Sequence, residues 1–408
     1  MPLKFLSSGE SHGPELNIIL DGIPANMPLL AEDINIDLKR RQGGYGRGGR
    51  MKIEKDKAIF TGGVRHGRAF GGAPVSIKII NKDHQKWLYA MSPEPVDESL
   101  PEVKEQLDAK FISKVRPGHA DLAGAIKYNA PDVRDILERS SARETTSRVV
   151  AGAVCKKFLS LFGIEVFSHV LRVGEVSLSD EAAKLREELS YEDFKAKVEA
   201  SELRICDSTD TEEQMKEYIN RVRKNGDTVG GIVEVFAKGV PVGLGSHVQW
   251  DRRLDGIIAQ ALMSVHTVKS VEFGIGQGAG MHLGSIVQDQ IFSDKEKAEQ
   301  ELRYSRKTNN LGGIEGGMSN GEPIICKVGV KPIPTLVSTL ESVDLATKEN
   351  SQSHFERSDV CVVPAAGVVL EAMLAFAIAK EFLNKFGGDS MEEITRNYQA
   401  YQDYVKSK

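Results

Sequence analysis

Apolar and polar residues alternate along Ala73–Ile80, and Glu15–Leu20 is a strand-like run. A period of two predicts strands that turn every second side chain into a core. Met51–Phe60, Gly230–Ala237 and Pro323–Val330 read as further strands. Elsewhere the period lengthens to that of a helix. Ala31–Arg41 predicts a short helix with three basic residues, Lys39, Arg40 and Arg41, in its last turn, where the helix dipole favours cations. Val150, Val154, Phe158 and Leu161 recur at helical spacing after Ser141. Ser141 with Glu144 three residues on predicts a capping box that opens this helix, and Gly163 closes it. Thr211–Lys224 and Leu254–Val268 predict two more helices, and a long one runs from Pro364 to Gly387. Its apolar part, Ala365–Ala379, is about 15 residues long and carries Glu371, so it predicts a buried helix rather than a membrane span. Trp87–Gln106 and Ser179–Asp210 are poor in core residues and are expected to be surface excursions from a single domain over 1–408. Three stretches, Leu16–Pro24, Ile232–Pro241 and Ile324–Pro332, each run strand, turn, proline; this is either a pseudo-repeat or chance.

The composition, 40% hydrophobic and 27% charged in 408 residues, is that of a soluble globular protein. A net charge of −5 argues against a general nucleic-acid binder. Basic residues are nonetheless concentrated: Lys39–Gly72 holds ten Lys or Arg against two acids, Glu54 and Asp56. Within it, KRRQGGYGRGGR (Lys39–Arg50) sets five cations beside five glycines. Glycine admits close approach and arginine offers a planar fork of donors, so the run predicts a loop built around a multiply charged anion. The four cysteines show no metal-binding spacing and predict free thiols in a reducing cytoplasm. The N-terminal residues have no charged-then-apolar leader, and no transit peptide is expected.

Candidate chemistry lies in the loops. His12 stands in GESHG, where an accessible imidazole could donate a proton to a leaving group; His119 stands in the rigid turn RPGHAD. The helix start ERSSARE, with Arg139 and Arg143 flanking Ser140 and Ser141, suits an anion such as a cofactor phosphate. NNLGGIEGGMSN (Asn309–Asn320) could press its backbone against a flat ring, and Arg357 and Asp359 could face one side of an extended segment. No activated nucleophile is evident, and the GxGxxG spacing at Gly44, Gly46 and Gly49 follows a helix instead of a strand, which is the wrong context for a dinucleotide site. The residues alone leave lyase, transferase and isomerase chemistry on an anionic substrate open.

The motifs GESHG, RRQGGYGRGGR, RPGHAD, ERSSARET, GVPVGLGS (Gly239–Ser246), NNLGGIEGG, KPIPT (Lys331–Thr335) and RSD (Arg357–Asp359) resemble, in order, those of the chorismate synthases, over essentially the whole chain. The resemblance implies an α+β sandwich, with helices packed between antiparallel β-sheets, and a cytoplasmic homotetramer. It implies conversion of 5-enolpyruvylshikimate 3-phosphate to chorismate with reduced FMN and no net redox change. It further implies that His12 protonates the departing phosphate, that His119 protonates the reduced flavin anion, and that Asp359 assists proton removal at the flavin N5. Arg47, Arg50, Arg116 and Arg143, with Arg41 beside them, would hold the substrate. FMN would be bound by Arg139, Ser140, Ser141, Gln260, Ala261, Gly316, Lys331, Pro332, Ile333, Pro334, Thr335 and Arg357. Arg41 and Arg47 are also implied in NADPH contact. The chain has little room for the insertions of the fungal-type forms that reduce their own flavin, so a separate flavin reductase is expected; the bifunctional form is the alternative. An RNA-binding role for the Arg/Gly loop is the alternative of another class, disfavoured by low aromatic content (6%) and acidic pI. Neither nucleic acid nor membrane is an expected partner.

Overall fold

The computed structural model of the chain describes residues 2–49, 53–293 and 302–408. Strands β1 (Lys4–Ser8), β2 (Glu15–Asp21), β3 (Ile59–Gly62) and β4 (Val75–Ile80) form one antiparallel sheet in the order β1-β2-β4-β3. Strands β5 (Glu165–Val173), β6 (Gly231–Lys238), β7 (Val268–Phe273) and β8 (Ile324–Val330) form a second, in the order β7-β8-β6-β5, with a two-residue strand at Val176–Ser177 on its edge. Between the sheets lie helices α4 (Thr145–Ser160) and α6 (Val363–Phe386), flanked by α1 (Ala31–Gln42); α6 packs on α4 and on β5 and β6, while α4 reaches β2. The architecture is the expected α+β sandwich. The remaining helices used below are α2 (Asp121–Tyr128), α3 (Arg134–Ser140) and α5 (Leu254–Met263).

The two sheets bury themselves differently, and their sequences say why. On β2, Leu16, Ile18 and Leu20 are buried while Ile19 is 44% exposed, so only one face is covered. β5 is buried continuously from Val166 to Val170, as befits a strand covered on both faces. Its outer cover is the stretch expected to face solvent. Helices Asp180–Glu188 and Tyr191–Ala200 lay Ala182, Phe194 and Val198 against Phe167 and Phe236, with Cys206 beneath them. Ser179–Asp210 is therefore not a solvent-facing excursion. Few apolar residues suffice there because each one falls on the sheet.

α6 is apolar all round because it is enclosed on all sides. Pro364 sits in its first turn and Gly387, at φ +59°, follows its last residue, as the sequence predicts. It is not the final helix: Met391–Lys406 follows, capped by Ser390. α4 and α6 cross so closely that a Cβ at Gly152 would lie 2.2 Å from Ala372 Cα. The expected capping box is absent. Arg134–Ser140 is a separate short helix, the chain is extended at Ser141, and α4 begins at Thr145. Glu144 turns forward to Arg148, four residues on (2.9 Å), instead of back to Ser141. The strand read at Met51–Phe60 begins only at Ile59, and residues 51–52 lie outside the described residues. α5 stops at Met263, since Val268 already opens β7. The three strand–turn–proline stretches fall on β2, β6 and β8; the last two are neighbours in one sheet.

Candidate active site

Three motif clusters meet at one end of the sandwich. The first surrounds His12, in the loop between β1 and β2. Gly9 turns this loop at φ +99°, where a Cβ would lie 2.3 Å from Glu15 O, so only glycine fits. The loop is docked on the end of α3. The Ser11 N–H donates to Glu138 O (3.0 Å), the His12 N–H to Glu138 Oε2 (2.7 Å), and His12 Nδ1 is 2.7 Å from Glu138 Oε1. Ser141 Oγ donates to Ser11 Oγ (3.1 Å), and Arg139 clasps Gly9 O (3.0 Å) and Ser7 O (2.9 Å). Trp87 stacks on the imidazole with ring centres 3.9 Å apart. His12 is thus only 8% exposed, not the accessible loop histidine its glycine-flanked motif predicts. The residues that bury it, Trp87 and Glu138, lie far away in sequence. Trp87 opens the stretch expected to be a surface excursion, and its ring is itself 7% exposed.

The second cluster is the turn before α2. Arg116 grips Asp121 through Nε (2.8 Å) and Nη2 (3.0 Å), and its Nη2 is also 3.0 Å from His119 Nδ1. His119 Nδ1 is hydrogen-bonded to Asp121, which is fully buried. Burial alone would raise the Asp121 carboxyl, but His119 and Arg116 override it and hold it far below the ordinary range. Arg116 Nη1 donates to Thr335 Oγ1 (3.2 Å) and Lys331 Nζ to Gly118 O (3.1 Å), so KPIPT is fastened to this turn. Burial, with Lys269 nearby, lowers the Lys331 ammonium.

The third cluster holds the arginines of the Gly/Arg loop. Gly46 passes so close to Cys361 that a Cβ would lie 2.8 Å from that side chain, and Arg47 Nη1 then reaches Asp359 Oδ2 at 2.9 Å. The Gly48 N–H donates to the other Asp359 oxygen (2.5 Å). Arg41 donates from Nε to Thr145 Oγ1 (3.0 Å) and from Nη2 to Ala142 O (2.9 Å). Arg143 Nη1 meets both oxygens of Asp56 at 2.8 Å. Burial pushes the Arg41 guanidinium down to about 9; Asp56 opposes this, while Arg143 and Arg47 add to it. Arg41 Nη1 and Arg143 Nη2 are buried without a hydrogen-bond partner among the described residues. Each lies only at loose ion-pair distance from a carboxylate, Asp56 (3.8 Å) and Glu54 (4.0 Å), so both donors can still take an incoming anion.

Two links join the clusters. Asn81 Nδ2 donates to Gly13 O (2.8 Å) and Glu10 O (3.1 Å), while its Oδ1 accepts from Arg143 Nε (2.9 Å), tying the His12 loop to the arginines. Ser358 Oγ donates to Thr335 O (3.2 Å), bringing Asp359 beside the His119 turn. Arg357 is exposed, Ser140 is occupied by Ile136 O (2.6 Å), and Arg50 lies outside the described residues. Gln260 and Ala261 lie on the C-terminal half of α5, whereas Gly316 is exposed at a turn whose next residue, Gly317, meets Leu254 at the start of α5. Sequence reasoning missed Trp87, Glu138, Asn81, Asp56 and also His266. His266 Nδ1 is 3.6 Å from Glu144, and its imidazole is lowered chiefly by burial, with Arg148, His119 and Arg139 adding and Glu144 opposing. A cleft of about 540 Å³ lies elsewhere, on the outer face of the second sheet around Arg186, Glu234 and Phe236; it holds neither histidine of the site. No group of three or more His, Cys, Asp or Glu among the described residues is placed to hold a metal ion.

Comparison with known proteins agrees with this geometry. A family model described as chorismate synthase matches residues 3–383. Two chorismate synthases of Streptococcus pneumoniae, from strains ATCC 700669 / Spain 23F-1 and Hungary19A-6, are each 49% identical over 405 residues, covering 99% of this chain and 100% of the relative. A crystal structure of a chorismate synthase superposes with a TM-score of 0.78 at 42% identity, covering 100% of this chain and 99% of that one.

Proposed function

The chain belongs to the chorismate synthase family, a lyase family of the shikimate pathway, and from that premise we propose how its residues divide the work. The reaction removes phosphate and the C6 hydrogen from 5-enolpyruvylshikimate 3-phosphate to give chorismate. The substrate carries two carboxylates and a phosphate, about four negative charges near neutrality. Arg47, Arg116 and Arg143, with Arg41 beside them and Arg50 next in the chain, offset that charge. Reduced FMN would supply transient electron-donating chemistry at this site, consistent with a flavin used without net redox change. Arg139, Ser140 and Ser141, the Lys331–Thr335 segment, Gln260, Ala261, Gly316 and Arg357 would hold it. In support, Arg139 and Arg357 are exposed, and a Cβ at Gly316 would meet open space, leaving room for a ring.

His12 gives its proton to the departing phosphate. His119, its ring oriented by Asp121, would hold a proton toward the flavin, and Asp359 would assist proton removal there. The observation that carries this reading is Asn81. One side chain ties the loop of the proton donor to Arg143, which offsets the phosphate's charge. Arg41 is 4% exposed with its Nε and Nη2 engaged, a poor surface for NADPH, and this favours a separate flavin reductase. We also infer a cytoplasmic homotetramer; the exposed Trp250 (83%), Met281 (72%) and Leu283 (73%) supply apolar surface for self-association. In the test, His12→Ala slows phosphate release by about 10²-fold or more while flavin binding stays intact. Full activity in that variant removes His12 from the mechanism.

A further inference from the structure

We propose that Glu138 and Trp87 are positioning residues for His12, a clamp that decides which ring nitrogen exchanges the proton. The proposal rests on the reading of His12 as the proton donor. Glu138 divides its two oxygens between one residue's main chain and side chain: Oε2 accepts from the His12 N–H and Oε1 lies 2.7 Å from Nδ1. The backbone bond sets where the residue sits, and the side-chain bond sets how the ring turns. A carboxylate beside Nδ1 selects the Nδ1–H form, so Nε2 is left as the nitrogen that transfers a proton. When Nε2–H protonates a departing phosphate oxygen, the product is the neutral Nδ1–H imidazole, still hydrogen-bonded to Glu138. Donor and spent states then share one geometry, and no ring flip is needed between turnovers.

Trp87 removes the remaining freedom. Its indole lies 3.9 Å from the imidazole at an interplanar angle of 21°, so rotation about the Cβ–Cγ bond would drive one ring into the other. The indole is itself held. Lys110 Nζ lies 3.8 Å from its centroid. The charges around the clamp come from several elements. Arg134 on α3 donates to Glu138 Oε1 (3.2 Å) and to Glu356 (3.0 Å), and its guanidinium lies 4.8 Å from the Trp87 centroid. His84 Nδ1 is 2.9 Å from His12 O. Arg134, one turn earlier on the same helix, holds the Glu138 side chain in place.

The chain has two tryptophans, and Trp250 is 83% exposed. In a Trp250→Phe background the emission therefore reports Trp87 alone, and an imidazolium in contact quenches indole emission. That background is expected to change in emission when His12→Ala removes the stacked ring. Glu138→Gln is expected to lower kcat on the order of 10²-fold with KM and flavin affinity little changed, and Glu138→Asp to restore part of that loss. Trp87→Leu, which keeps Glu138, lowers kcat without moving flavin affinity. A Glu138→Gln enzyme with kcat within twofold of the parent overturns the carboxylate's role. A fully active Trp87→Leu enzyme overturns the indole's role. Full activity in His12→Ala instead removes the premise, and is distinguishable because it does not depend on either clamp variant.

Discussion

Replacing Glu371 by glutamine takes one charge from the middle of α6 and removes a shared partner from three cations. Glu371 is fully buried and accepts from Arg40 Nη1 (2.7 Å) and Nη2 (2.9 Å), Lys156 Nζ (2.9 Å), Arg204 Nη2 (3.1 Å) and Ser168 Oγ (2.8 Å). A glutamine keeps one acceptor oxygen and turns an NH₂ group toward donors. Breaking a buried pair from one side costs about 3–5 kcal/mol. Arg40 and Lys156 keep Asp37, and Arg204 keeps Glu199, so the loss falls near the lower end, about 3 kcal/mol. That is a large part of the ~5–15 kcal/mol of a typical domain. Urea unfolding followed by circular dichroism, at matched protein concentration, measures it. Adding Lys156→Met should recover part of the loss, because it removes one of the cations that has lost its share of Glu371. The pH dependence carries a second signature. Burial would raise the Glu371 carboxyl, but Arg40, Lys156 and Arg204 hold it well below the usual range. A depressed carboxyl stabilises above its unfolded pKa of about 4.3 and loses that contribution as pH falls. The parent should therefore lose stability below about pH 4 more steeply than the variant. A loss under about 1 kcal/mol, or identical acid limbs, would refute the claim that this ion cluster locks α1 and α4 to α6.

Two further changes probe other parts of the molecule. Arg139→Ala should weaken flavin binding about tenfold by titration, since a charge-assisted contact contributes on the order of 1.4 kcal/mol or more; an unchanged titration would show that Arg139 does not hold the cofactor. Glu234, which faces His169 across β5 and β6, would be raised by burial, but His169 and Arg186 bring it down to about 2. Its stabilising share is present above about pH 4.5 and is lost as pH falls toward 2, so Glu234→Gln should be less stable at neutral pH and flatter in acid, read from thermal unfolding at several pH values.

Much of the fold was legible because burial writes a local pattern. Alternation marked β4 and a strand-like run marked β2, where one face is covered, and the apolar run from Ala365 marked α6, which is enclosed. The pattern failed where an element borrows its partner from afar. Phe194 and Val198 look sparse in an acidic stretch, yet they suffice to roof β5 and β6. Met391–Lys406 was overlooked even though Ser390 and Glu393 form a start signal. In the site, the arginine and histidine motifs stood out through their glycines, but their partners did not. Glu138 lies 126 residues from His12, and Asp56 lies 87 from Arg143, and neither pairing leaves a trace at local spacing. The same blindness explains why His12 was expected to be accessible. A loop histidine between glycines looks exposed until Trp87 arrives.

The most direct test is an anaerobic assay on 5-enolpyruvylshikimate 3-phosphate, run once with chemically reduced FMN and once with oxidised FMN and NADPH. The account predicts chorismate and phosphate in the first run alone, with the second restored by an added flavin reductase. Turnover in both runs would contradict the assignment of reduction to a separate protein, and turnover in neither, from folded protein, would contradict the proposed reaction itself.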